Sequence, residues 1–152
     1  MDNGVDLPGY KHYLDAAGGR PAVMVAFLDV APATGSRVNG LALPVGAQEL
    51  AALDERERSY ARVKVGASVR GATVADTVWT YVGLPAARER AGRGLAEGRL
   101  TVSRRYWEQV RAGFARLGHD ALVAFDATTD SLPCPLADLR MVSHGPASAH
   151  AR

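Results

Sequence analysis

Only one cysteine, Cys134, occurs among the 152 residues, so no disulfide can form within the chain, and a reducing, cytoplasmic setting fits better than secretion. Long hydrophobic runs are missing too. The most apolar stretch, from Ala22 to Leu28, is far too short to span a bilayer, and the polar N-terminus lacks the layout of a signal peptide. No membrane association is expected. Charge of one sign is scarce: a formal net charge of +2 is a mild basic bias, weaker than the concentrated Lys/Arg faces of nucleic-acid binders. No nucleic-acid partner is expected either. His12, His119, His144 and His150 are scattered, and with a single cysteine they make no metal-ligand set of zinc spacing. No serine sits in a Gly-x-Ser-x-Gly elbow, which removes the usual sequence sign of a nucleophilic serine. The run from Gly92 to Gly98 fails as a dinucleotide fingerprint, because its third glycine comes one residue late and no strand precedes it.

What is present suffices for one globular domain. A hydrophobic content of 47% over this length can bury a real core, and one domain over residues 1–143 is expected, followed by a disordered Ser/Ala/His/Arg tail, 144–152. The segment from Met1 to Arg20, broken by Pro8-Gly9 and Gly18-Gly19, is expected to be an extended or looping entry rather than a regular element. Two strands of one sheet are expected at Ala22 to Leu28 and at Val38 to Leu43, and a helix over 46–57. Alternation of apolar and basic residues from Ala61 to Val65 marks a strand with one wet face, whose parity Tyr60 shares. Another strand spans Thr77 to Val82. Helices are expected from Pro85 to Glu97, from a Ser103 cap along the stripe Tyr106, Trp107, Val110, Phe114 and Leu117 to Gly118, and from His119 to Phe125. Arg104, Arg105, Arg111 and Arg116 lie opposite that stripe, as on a solvated face. Strands first and helices later indicate an α+β domain rather than a βαβ alternation.

Glu57 is the residue on which chemistry concentrates. Leu50 and Leu53 precede it at offsets that stack on one helix face, so the packing stripe carries a carboxylate inward just where the helix ends. The negative end of a helix dipole and apolar neighbours both disfavour the charged form of a carboxylate so placed. A group so placed can both take and give a proton. The alternative for such a glutamate is an ion pair with Arg56 or Arg58 at the helix end.

Taken together, these residues resemble the γ-glutamylcyclotransferase family in its bacterial, AIG2-like branch. The likeness runs from Asp6-Leu7-Pro8-Gly9-Tyr10-Lys11 through Val38-Asn39-Gly40, Leu53-Asp54-x-Arg56-Glu57 with Tyr60, and Val78-Trp79-x-Tyr81 to the stretch from Tyr106 to Phe114. It implies a mixed β-sheet or small barrel flanked by helices, with Glu57 as the catalytic general acid/base and Tyr60 as a substrate contact. It implies a small-molecule γ-glutamyl substrate and no cofactor. In the implied reaction the α-amine of a γ-glutamyl amine or amino acid closes on its own γ-carbonyl, giving 5-oxoproline and a released amine.

One family feature is absent. Members begin with a strand leading into a Tyr-Gly-Ser loop whose N–H groups cradle the substrate, and no such motif occurs here. A shortened chain, or a true start upstream, is the expectation. Loss of such donors costs roughly 10² to 10³ in rate in other enzymes. A missing first strand leaves a sheet edge open, which favours a homodimer through that edge. The rival reading is a non-catalytic binding module on the same fold.

Overall fold

Backbone partnership, more than propensity, decides which segments of this chain become strands. The computed structural model describes residues 1–5, 11–71 and 77–143. Along the described residues run β1 (Lys11–Leu14), β2 (Met24–Ala26), α1 (Ala47–Arg56), β3 (Tyr60–Lys64) and β4 (Trp79–Gly83). There follow α2 (Pro85–Ala96), β5 (Leu100–Ser103), α3 (Arg104–Arg116), α4 (His119–Thr128), β6 (Leu136–Ala137) and β7 (Arg140–Ser143). The architecture is α+β, with helices accompanying several small sheets. None of the described helices is long and apolar enough to cross a membrane. Residues 6–10, His144, His150 and the tail lie outside the described residues. The chain divides into two compact units, Met1–Phe27 with Ala91–Arg152, and Leu28–Arg90.

The first unit holds every fully buried side chain among the described residues. Its sheet has the order β2-β5-β6, with both pairings parallel. All four residues of β5 are buried. A four-residue strand gives too short a pattern to announce itself, and the sequence reading passed over it. Paired on both edges, it needs no wet face, and its two polar side chains bond to carbonyls: Thr101 Oγ1 donates to Pro135 O at 2.8 Å and Ser103 Oγ to Leu139 O at 3.4 Å. Ser103 is therefore the N-cap of α3 by position only, since its hydroxyl makes no cap bond. The other edge of β2 is taken up by an antiparallel bridge from Asp2 to Met24, with Asn3 N–H donating to Val23 O at 2.9 Å.

Lys11–Leu14, expected to be extended or looping rather than a regular element, is a strand because β7 lies beside it in antiparallel register, Lys11 opposite Ser143 and Leu14 opposite Arg140. That partner is some 130 residues away in sequence. Tyr13 of β1 joins Val25 and Leu139 in the core. Asn3 is fully buried, and its amide ties the surrounding loops together: Nδ2 donates to Tyr13 O and Pro21 O, both at 2.9 Å, while Oδ1 accepts from Tyr13 N–H at 2.7 Å. Such a side chain is fully satisfied, so its burial carries little penalty.

The stripe expected on α3 is largely the packed one. Tyr106 meets Phe27 edge-on at 5.2 Å, while Phe114 stacks at 4.3 Å on Phe125 of α4, which Trp107 also approaches at 5.9 Å. Leu117 is exposed. Arg111 is not merely solvated: it forms a two-pronged pair with Asp126 of α4 and lies over the Trp107 ring. Gly118, at φ +121°, breaks the chain between the two helices in a conformation that side chains other than glycine rarely adopt. In α2, Gly92 is open to solvent whereas Gly94 is buried against Met24, where a Cβ would come within 2.6 Å of Sδ and 3.2 Å of Met24 Cβ. The second glycine is a packing requirement rather than fraying.

The second unit has helix α1 and an antiparallel pair, β3 with β4, in which Tyr60 faces Gly83, Arg62 faces Tyr81 and Lys64 faces Trp79. The expected strand from Val38 to Leu43 is not formed. Those residues run without assigned secondary structure, and Val38, Leu41 and Leu43 are 66%, 68% and 73% exposed. Strand propensity measures how well a residue fits a pleated, half-buried surface, and here no neighbouring strand supplies one. Gly40 and Pro44 further weaken the segment.

Candidate active site

Helix α1 begins at an N-cap glycine, so half of a capping box is all that can form: the Glu49 carboxylate accepts from Gly46 N–H at 2.7 Å. Its far end is better tied. Glu57 N–H donates to Leu53 O at 2.9 Å as the last helical bond, and Glu57 O then accepts from Tyr60 N–H at 2.8 Å, turning the chain straight into β3. Arg58 Nε donates to Glu55 O at 3.0 Å, a cation serving the orphan carbonyls of the helix terminus. From Ala47 to Glu57 the less exposed residues are Leu50, Leu53 and Glu57. The expected stripe is there, but no residue of α1 is buried.

Glu57 thus faces the right way without being enclosed. Its side chain is 25% exposed, and Oε1 accepts from Arg56 Nε at 2.9 Å. The pairing with the neighbouring arginine that the sequence left open is the one adopted. Arg56 itself is 70% exposed, and ion pairs of that kind contribute about 0–1 kcal/mol, so a ligand group can displace it. No donor among the described residues bonds Oε2.

Tyr60 opens β3, and its hydroxyl donates to Leu28 O at 3.1 Å. The backbone bond just described links it to Glu57. At the same open end of the hairpin, where Gly83 lies opposite Tyr60, Asp29 secures β4: Oδ1 accepts from Gly83 N–H at 2.7 Å and Val30 N–H at 2.8 Å, and Oδ2 from Arg88 Nε at 2.8 Å. That carboxylate sits where a side chain on residue 83 would go, within 2.5 Å of a Cβ built there.

A second carboxylate, one helical turn before Glu57, organises the face of the hairpin. Asp54 Oδ1 accepts from the Tyr81 hydroxyl at 2.7 Å, and Oδ2 lies 3.1 Å from Arg62 Nη1. Arg62 in turn lies over the Trp79 ring at 4.8 Å. Desolvation, the Asp54 hydrogen bond and charge, and more weakly the Glu57 charge push the Tyr81 phenol above its usual pKa, against the opposing Arg62 charge. Tyr81 is therefore a protonated donor at neutral pH. Sequence reasoning singled out Glu57 and Tyr60 and passed over Asp54, Arg62 and Tyr81, which the structure joins to one another on the hairpin face. Their signal was available: Asp54 stands at i−3 from Glu57, and Arg62 shares the strand parity of Tyr60.

Among the described residues no three His, Cys, Asp or Glu side chains converge as a metal site. Burial pushes the Cys134 thiol pKa up, which suits a structural thiol rather than a nucleophile.

Helix α1 thus ends in a half-buried glutamate and turns directly into a hairpin whose polar face carries a tyrosine and an arginine. Residues 3–108 match the family model described as gamma-glutamyl cyclotransferase, AIG2-like, and with more than half its length matched the chain belongs to that family. No curated protein and no solved structure matches it significantly.

Proposed function

We infer that this chain converts a γ-glutamyl amine or γ-glutamyl amino acid into 5-oxoproline, releasing the amine, with Glu57 as general acid/base and Tyr60 as a substrate contact. The observation carrying this reading is the position of Glu57: a half-buried carboxylate on the less exposed stripe of α1, paired with an exposed arginine that a ligand can displace, in a chain of this family. The α-ammonium gives a proton to Glu57, and the resulting amine attacks the γ-carbonyl. A C–N bond forms within the ring, and as the bond to the outgoing nitrogen breaks Glu57 returns its proton to that nitrogen, because an amide anion is too poor a leaving group. The second proton of the former ammonium, made acidic once its nitrogen has bonded to the carbonyl carbon, follows by the same carboxylate, leaving a lactam N–H and a released ammonium. Ring closure is intramolecular, and well-aligned groups reach effective molarities of about 10⁵ M or more, so holding the substrate folded supplies much of the acceleration. The transferase reaction needs no cofactor, and the cytoplasm is its setting.

Chromatographic assay of 5-oxoproline with a panel of γ-glutamyl amines and amino acids tests the reading. Glu57→Gln keeps the shape and removes the proton shuttle, so release should fall by about 10²- to 10⁴-fold. Retained release in that variant overturns the role of Glu57. A second reading, a non-catalytic binding module, is favoured by one observation, the Arg56 to Glu57 pair. It requires the unaltered chain to bind γ-glutamyl compounds without ever forming 5-oxoproline.

A further inference from the structure

We propose that Asp54 is a positioning residue that fixes the polarity of the Tyr81 hydroxyl, so that the Tyr81 oxygen accepts a hydrogen bond from the substrate's α-ammonium beside Glu57. The inference rests on the cyclisation reading above. Its ground is the division of labour at the Asp54 carboxylate, where one oxygen takes the Tyr81 proton at 2.7 Å and the other faces Arg62 at 3.1 Å. A phenol has a single proton. Once that proton points at Asp54, the outward lone pairs of Tyr81 can only accept, and the groups on this substrate best suited to them are the N–H donors of its ammonium. Asp54 and Glu57 stand one helical turn apart, at i and i+3, and Asp54 bonds the Tyr81 hydroxyl directly, which brings the acceptor and the proton-taking carboxylate to the same end of α1. Arg62 keeps Asp54 in place: cross-strand from Tyr81 and lying over Trp79, it holds the second oxygen so that the first stays aimed at the phenol.

The arrangement makes Asp54→Asn an informative change. An amide offers one acceptor and one donor edge, and Arg62 can only donate, so the carbonyl oxygen turns to the guanidinium and the NH₂ faces Tyr81. The phenol proton is then driven outward. The ammonium would meet a donor where it had an acceptor.

The experiment measures 5-oxoproline release by the full chain, by Glu57→Gln, by Asp54→Asn, by Tyr81→Phe and by the double variant of the last two, separating KM from kcat. Asp54→Asn and Tyr81→Phe should each raise KM by about ten- to a hundredfold, the scale of one hydrogen bond to a charged group, with kcat changed only a few-fold. The double variant should match Tyr81→Phe alone, because without the hydroxyl Asp54 has nothing left to orient. A fall in kcat at constant KM would mark a structural displacement of Glu57 and overturn the inference, as would unchanged kinetics in Asp54→Asn or losses that multiply in the double variant. Tyr81→Phe leaves the ring in place and keeps the test open should Asp54→Asn fold poorly. Activity lost in Glu57→Gln but untouched in Asp54→Asn sinks this inference alone. An unaltered chain that releases no 5-oxoproline sinks both.

Discussion

The two units are held together by different means. In the unit of Met1–Phe27 with Ala91–Arg152, apolar side chains such as Tyr13, Val25, Leu100, Val102, Phe125 and Leu139 are buried, and the polar groups among them are satisfied. In the Leu28–Arg90 unit no described residue is fully buried, and what joins its elements is carboxylate chemistry: Asp29 clamps β4 and α2, and Asp54 clamps α1 to the hairpin. The candidate site belongs to the second unit. Polar clamps contribute less than a core, yet each fixes direction, and direction is what proton transfer needs. Segments that carry binding groups commonly come from the less stable end of a structure for this reason.

That contrast can be broken at three points. Phe125→Ala removes the ring stacked on Phe114 and approached by Trp107 in the first unit. It should cost about 3–5 kcal/mol in urea denaturation followed through Trp107 fluorescence, and a loss below about 1 kcal/mol would mean the ring is not part of a packed core. Gly83→Ala strikes the second unit where it has no core to lose. The new methyl would displace the Asp29 carboxylate from its bonds to Gly83, Val30 and Arg88. A cost of about 1–3 kcal/mol is expected, read from Trp79 fluorescence. Combined with Asp29→Ala it should add little, since both changes empty one network. The smallest effect is expected for Leu41→Ser, within about 0.5 kcal/mol, because that leucine is already exposed. A loss above 1 kcal/mol would restore Val38 to Leu43 to a packed strand.

Where periodic signals ran for ten residues or more, local sequence already revealed the structure. Helices α1, α2 and α3 fall within a residue or two of their expected spans, and the Leu50, Leu53 and Glu57 stripe is the less exposed side of α1. The polar parity of β3, with Tyr60, Arg62 and Lys64 on one face, was equally legible, and β4 supplied Tyr81 and Trp79 to that same face. Short strands were not legible. Leu100–Ser103 is buried and Val38 to Leu43 is exposed although the second is the more apolar by inspection, because a strand of four to six residues is defined by its neighbour. Glu57 was found by its spacing, but its guanidinium partner, its partial exposure and its place beside Asp54, Arg62 and Tyr81 depend on how α1 and the hairpin meet.

By itself the sequence determined the helices, the face on which Glu57 stands and the family pattern around it, since all three are written in contacts between residues a few positions apart. Tertiary structure decided the rest. Parallel pairing of β2 with β5, the junction of β1 with β7 and the two-sided hold of Asp54 join residues far apart in the chain, and no local period encodes which distant backbone or carboxylate will arrive.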